Sequence, residues 1–387
     1  MDYRKIIIVG ENNIGRSFMA ECILRGILQK RNCQNIEVVS RGLVVLFSEP
    51  VAPGAAKILR EKGYRIEDFL VSMITRGMKL EADTAETMYE CMLCGACTND
   101  CVTGFEPPVF IREGRTESVV AGVAPKYVMD LIDVIEKTGS MYGTSESKVK
   151  TDAPETGDLL VWLGETARYS TPEVAEALLK ILDKAGVKYA VLKNEPSSGS
   201  ALGDLMGFVE DVRAQAKKAA EAIKASGAKK VVVLDSYDAA LFRHEYKDWG
   251  IELPEIVTAT AFVDELIKAG KLAPKKEAMV VSYHDGSRLA RDLDEHQPAR
   301  DILTAMGCDI HEMWQNRRLA KCCGSAVVGR YLPELRAKVA AGRWNDITRT
   351  DAKIMVAACP QSTEALSATV PEGYEYKDLF VMLAERL

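Results

Sequence analysis

The chain has 387 residues, more than one compact core supports, and its 47% hydrophobic and 27% charged residues match an ordinary folded protein, not a disordered or fibrous one. A formal net charge of -6 and a pI near 5.6 offer no electrostatic attraction to nucleic acid or an anionic membrane, so protein partners are expected. No apolar run approaches the roughly 20 residues that span a bilayer, and the apolar stretch after MDYRK is too short for a signal peptide, so a cytoplasmic protein is expected, with peripheral membrane attachment left open.

The N-terminal stretch reads as strand IIIV (6–9), turn and helix GENNIGRSFMAE (10–21), strand IEVVSRG (36–42) and the segment EPVAPGAA (49–56). In this order the segments resemble low-molecular-weight protein tyrosine phosphatase over residues 5 to about 80, which implies a Rossmann-like α/β domain at residues 1–85. That enzyme class needs a thiolate nucleophile shortly before a phosphate-binding arginine, both on a loop leading into a helix N-terminus. Arg16 and Ser17 are present, but Gly10 stands at the nucleophile position and Glu11 brings negative charge where an oxyanion would sit. An inactive packing or docking module is expected, with a residual anion site at Arg16 as the alternative.

Ten cysteines in an intracellular chain read as metal ligands or redox groups, because cytosolic reductants keep ordinary thiols reduced. The strongest chemical signal is CMLCGACTNDC, which places Cys91, Cys94, Cys97 and Cys101 in C-x2-C-x2-C-x3-C spacing. Thiolates three residues apart can wrap the corners of a [4Fe-4S] cubane, and Gly95 lets backbone N–H groups approach the sulfides. In two-cluster ferredoxins the fourth cysteine serves the other cluster and is followed by proline, whereas Cys101 precedes Val102 and no second run exists. Cys101 is the first candidate for the fourth ligand, with Cys22 and Cys33 as remote alternatives. A small helical region at 86–150 is expected to carry the cluster.

After a polar stretch at 138–157 the chain reads twice as strand, helix, special loop, helix, strand. The first copy has LLVWL (159–163), a helix at about 172–185, the loop SSGSAL (197–202), an Ala-rich helix from about 207 and VVVLDSYD (231–238). The second, after a junction near Pro274, has MVVSYHD (279–285), a helix, the loop CCGSAV (322–327), another helix and IMVAACPQ (354–361). Alternating strands and helices predict parallel sheets with both special loops at C-terminal strand ends. Cys308 reads as a strand-edge residue, and Trp162, Trp249, Trp314 and Trp344 as core residues of amphipathic segments.

The run at 91–101, the segment EKTGSMYG (136–143) and the two repeats resemble, over residues 86–387, the iron-sulfur subunit of heterodisulfide reductase and its anaerobic relatives. The resemblance implies two cysteine-rich α/β domains, 151–275 and 276–387. It also implies that a complete repeat, with an early cysteine, a CysCysGly and a late CysProxxCys, binds an unusual [4Fe-4S] cluster. In the first repeat these positions are Glu165, Ser197, Ser198, Asp235 and Asp238, hard oxygen groups ill suited to iron-sulfur chemistry, so a structural role is expected there. The second keeps Cys322, Cys323 and Cys359 but has Ser287 and Ser362 at the other two positions. Those three thiolates hold a second, atypical cluster if His284, Asp285, Ser287, a substrate or a partner protein supplies the fourth ligand; otherwise they are buried thiols.

The scattered histidines His244, His284, His296 and His311 assemble no hydrolase motif, and no G-x-G-x-x-G follows a strand, so flavin or nicotinamide belongs to partner subunits. The resemblance implies an electron-transfer subunit of an oxidoreductase complex, with flavin or iron-sulfur proteins as partners and no catalytic residue of its own. The alternative is a scaffold whose lost cysteines record lost chemistry.

Overall fold

The computed structural model describes residues 5–10, 16–30, 37–42, 82–101 and 105–387. At the N-terminus, strands β1 (Lys5–Gly10) and β2 (Glu37–Gly42) pair in parallel, with helix α1 (Arg16–Lys30) between them in sequence. Arg25 of α1 donates two hydrogen bonds to the Val38 carbonyl and pairs with Glu21 at 2.6 Å, which ties the helix to β2. Gly10 ends β1 and Arg16 opens α1. Glu11, the Arg16 side chain, EPVAPGAA, Cys33 and the Cys22 side chain lie outside the described residues.

Four helices follow: α2 (Ala82–Tyr89), α3 (Ala96–Asp100), α4 (Pro107–Val120) and α5 (Lys126–Thr138). The apolar stripe of α5, Val128, Leu131, Ile132 and Ile135, is buried against Tyr89, Leu202, Leu205, Ala326 and Val327. That core therefore draws on helices that follow the special loops of both repeats, and it places the helical region across them.

Each repeat is a four-stranded parallel sheet. The first has β3 (Leu159–Trp162), β4 (Ala190–Val191), β5 (Lys230–Val233) and β6 (Glu255–Thr258), ordered β4-β3-β5-β6. The second has β7 (Met279–Tyr283), β8 (Cys308–Ile310), β9 (Ile354–Ala357) and β10 (Glu375–Asp378), ordered β8-β7-β9-β10. Both thus place the second strand outside the first and the third and fourth on its other side, so the repeat seen in the sequence is a repeat of topology. The central strands are continuous apolar runs because helices cover both of their faces.

Helices of the first repeat are α6 (Glu165–Tyr169), α7 (Pro172–Lys184), α8 (Ser200–Met206), α9 (Glu210–Ala225), α10 (Ser236–Arg243), α11 (Glu245–Asp248) and α12 (Ala259–Lys268). Those of the second are α13 (Pro298–Ala305), α14 (Ala326–Tyr331), α15 (Pro333–Ile347), α16 (Pro360–Ser367) and α17 (Leu379–Glu385), with a single π-helical turn at Arg288–Asp292. Side-chain caps start several of them: Asp235, Thr258, Ser325 and Asp378 side chains accept backbone N–H bonds at the starts of α10, α12, α14 and α17. The special loops are shorter than expected, since SSGSAL is already helical from Ser200 and CCGSAV from Ala326.

The repeats meet reciprocally. Helix α17 packs on α7 and α12 on α13, so each repeat offers its last helix to the other's early one. Leu178, Leu182, Val263, Leu303, Phe380 and Leu383 are all buried in the resulting shared core. Cys308 sits on edge strand β8, as expected, while Trp314 departs from expectation: it is 79% exposed, whereas Trp162 and Trp344 are fully enclosed. Phe380→Ala opens a cavity where the repeats join and should cost about 3–5 kcal/mol, read as a lower urea midpoint for the full chain.

Candidate metal centre

The cysteine run leaves α2 and turns twice through left-handed backbone, at Leu93 (φ 49°) and Gly95 (φ 74°), before α3 begins. Leu93 tolerates the strained conformation because its side chain is only 1% exposed, held in place by packing. Two arginines fix this loop through its carbonyls. Buried Arg115 donates to Met88 O, Cys91 O (2.6 Å) and Asp204 O (2.6 Å), which ties the run's entry to the first repeat. Arg291, in the π-helical turn, donates to Cys94 O (2.7 Å), Ala320 O (2.6 Å), Arg318 O (3.1 Å) and Ser287 Oγ (2.8 Å), which ties the run's middle to the second. Backbone N–H groups reach the sulfurs: Leu93 N donates to Cys91 Sγ and Phe105 N to Cys101 Sγ, at 3.4 and 3.3 Å.

Across the interface, Cys322 and Cys323 lie between a 3-10 turn (Arg317–Leu319) and α14. Gly324 holds φ 111°, and a Cβ there would come within 2.6 Å of Arg336 Cγ, so the turn after the cysteine pair requires glycine. Gly324 N donates to Cys322 Sγ at 3.2 Å, and Ser325 N to Met92 Sδ at 3.4 Å. Cys359 stands at the N-cap position of α16, without a side-chain capping bond. Its sulfur accepts from Ser236 Oγ at 3.1 Å, and Cys323 Sγ donates to Ser362 Oγ at 3.4 Å.

A cavity of about 40 Å³ joins these parts, and among its lining are Cys94, Cys322, Cys323, Cys359, Ser287 and Ser362. All five positions singled out in the second repeat therefore converge on one point, together with one cysteine of the distant run. Cys94 and Cys322 line the cavity together, and each thiol bears on the other's proton. The Cys322 thiol, helped by the Ala96 N–H and by Arg291 and Arg288, lowers the Cys94 thiol to about 6 against its burial, while Cys322 is pushed up as the proton-bearing partner. Burial pushes Cys359 up to about 12, with Asp235 adding to it, and burial likewise raises Cys91, Cys97 and Cys323.

Of the other fourth-ligand candidates, Asp285 and Ser287 are engaged elsewhere. Both Asp285 oxygens accept from Arg300, with a further bond from Arg317 N, and Ser287 Oγ accepts from Arg291. His284 Nδ1 accepts from Arg343 Nε, and burial beside that guanidinium holds the imidazole neutral, its pKa well below the ordinary value. Its Nε2 is buried without a partner.

The corresponding positions of the first repeat also come together, as an oxygen cluster. Glu165 accepts from Ser197 Oγ (2.7 Å) and Met141 N, and Asp238 accepts from Ser198 Oγ (2.5 Å) and Trp162 Nε1 (2.8 Å). Asp235 accepts from Tyr237 N and, across the repeat boundary, from Gln361 Nε2. Burial pushes Glu165 up to about 6 and Asp235, which also faces the Asp238 charge, up to about 7.

The donor set suits an iron-sulfur core, since soft thiolates meet backbone N–H groups on a loop whose carbonyls are clamped by arginines. Among the described residues no three His, Cys, Asp or Glu side chains converge tightly enough for a single metal ion. A cluster spreads its thiolates over several irons and does not need that convergence. Sequence reasoning missed Arg291, Arg115, Met92 and Ser236. Their bonds go to backbone or to sulfur far along the chain, 197 residues away for Arg291 and Cys94, and no local spacing announces them.

Comparison with known proteins follows the same lines. Residues 161–237 and 281–363 match the Cysteine-rich domain family, and residues 5–91 match Low molecular weight phosphotyrosine protein phosphatase. The D-type subunit of dihydromethanophenazine:CoB--CoM heterodisulfide reductase from Methanosarcina mazei is 30% identical over 298 residues, 71% of this chain and 71% of that protein. The chain belongs to the family of this heterodisulfide reductase subunit. The same subunit from Methanosarcina acetivorans is 29% identical over 78% of both proteins. A probable membrane-anchored ferredoxin of Chromohalobacter salexigens is 27% identical over 78% of this chain, which spans about half (48%) of that longer protein. Within this heterodisulfide reductase family, the oxygen cluster around Asp235 marks the chain's first repeat as one built without thiolates.

Because Asp235 is held above its ordinary value, the folded chain binds more protons than the unfolded one between roughly pH 4 and 7, and stability falls as pH rises through that window. Asp235→Asn keeps an acceptor for Tyr237 N and removes the buried charge. The Tm gain it gives should be larger at pH 8 than at pH 5; equal shifts at both would mean that Asp235 does not titrate in this range.

Proposed function

We propose that this chain is an iron-sulfur electron-transfer subunit of a heterodisulfide reductase-like oxidoreductase complex, working in the cytoplasm beside flavin or iron-sulfur proteins. The observation that carries the reading is the intact cysteine run, clamped by Arg291 against the cysteine pair of the second repeat in a member of this family. Cys91, Cys94 and Cys97 would hold a [4Fe-4S] cluster with one further thiolate, for which the sequence offers Cys101. The group supplies reversible one-electron uptake. The chain's own residues do the rest: Arg115 and Arg291 fix the loop, Leu93 N and Gly324 N polarise the sulfurs, and Met92 lines the cavity.

The reading divides the chain at about residues 85, 150 and 275. The N-terminal unit, without a nucleophile at Gly10, serves docking, and the first repeat serves as structural support. A second cluster on Cys322, Cys323 and Cys359 is the alternative use of the cavity. It is disfavoured because Cys322 faces Cys94, Cys323 is bonded to Ser362, and Cys359 accepts from Ser236. The two uses differ in iron, about four atoms per chain for one cluster and about eight for two.

The competing class is a scaffold protein, supported by the oxygen residues of the first repeat. Cys94→Ala separates the two. Electron flow through the assembled complex should fall to background while the complex stays whole by size; undiminished turnover would leave only the scaffold.

A further inference from the structure

In two-cluster ferredoxins the last cysteine of such a run, followed by proline, serves the other cluster; here Val102 follows Cys101 and the chain has no second run. A cubane on Cys91, Cys94 and Cys97 therefore lacks a fourth thiolate from its own segment unless Cys101 turns inward. Cys101 ends α3, where its sulfur takes the N–H of Phe105 in the turn that follows.

Three observations point elsewhere. Cys322 lines the same small cavity as Cys94, 228 residues away in sequence, and its thiol acts directly on that of Cys94. The two loops that carry them are fastened to each other by separate bonds: Arg291 bridges Cys94 O to Ala320 O, Ser325 N donates to Met92 Sδ, and α3 packs on the 3-10 turn at Arg317–Leu319. The Cys322 sulfur also takes the Gly324 N–H at 3.2 Å, so it has the same amide contact that Cys91 has from Leu93 and Cys101 from Phe105. Cys322 is the member of the cysteine pair turned toward the run; Cys323 turns to Ser362.

We infer that Cys322 is the fourth ligand of the cluster on Cys91, Cys94 and Cys97, so that one iron-sulfur core is shared between the run and the second repeat; this rests on the cluster reading above. Cys322 would hold the fourth corner as a thiolate, its proton released to solvent. Cys323 and Cys359 then remain as thiols lining the cavity that Cys94 and Cys322 share.

The test compares anaerobically purified full-length wild type with Cys322→Ser and Cys101→Ser, by iron and sulfide content and by EPR before and after dithionite reduction. Wild type should hold about four irons, Cys101→Ser should match it in content and g values, and Cys322→Ser should fall to about three or fewer or show shifted g values. In Cys322→Ala, reconstitution with iron, sulfide and 2-mercaptoethanol should restore the content, because the small thiol fills the vacated corner. This rescue distinguishes a lost ligand from a lost fold. An unchanged Cys322→Ser protein, or loss in Cys101→Ser, overturns the inference and leaves the cluster reading standing. An iron-free wild type instead sinks the cluster reading itself.

Discussion

The Arg291 guanidinium is the constraint on which the site depends. It spends its donors on three backbone carbonyls and one hydroxyl drawn from the cysteine run, the 3-10 turn and the start of its own helical turn. A planar fork of this kind fixes direction as well as distance, so the run cannot slide relative to the second repeat without breaking several charge-assisted bonds together. Lysine, with one ammonium, could not make the same set. Arg115 performs the matching task toward the first repeat, and between them the two arginines hold a loop that is otherwise only a few residues of left-handed and extended backbone.

The two repeats show the same topology put to opposite chemical use. In the second, sulfur, hydroxyl and backbone N–H groups line a cavity; in the first, the same positions form hydrogen-bonded clusters of carboxyls, serines and a tryptophan N–H. Those clusters satisfy their own polar groups, which a buried cluster of oxygens must do to be tolerated. The first repeat also reaches across the boundary, through Gln361 to Asp235 and Ser236 to Cys359, so the repeat without thiols still shapes the one that carries them. The reciprocal packing of α17 on α7 and α12 on α13 brings these loops to one place.

Much of this was legible in the sequence for simple reasons. The run at 91–101 carries its meaning in local spacing, and the repeat shows through because apolar strand cores and special loops recur in the same order. The exposed Trp314 was not legible, since a large aromatic residue in an amphipathic segment carries no mark of which side faces solvent until the neighbouring turn is placed. Helix starts at Ser200 and Ala326 were missed because glycine and serine read as loop, while here glycine supplies the left-handed turn that launches the helix.

The sequence by itself determined the element types, the duplication, the thiol inventory and the positions where thiols are replaced, because each is a matter of residue identity and short-range period. Only the tertiary structure decided which thiols meet. Cys94 and Cys322 are brought together by arginine-to-carbonyl bonds and by helix packing between repeats, interactions that depend on where the backbone runs and leave no trace in local spacing.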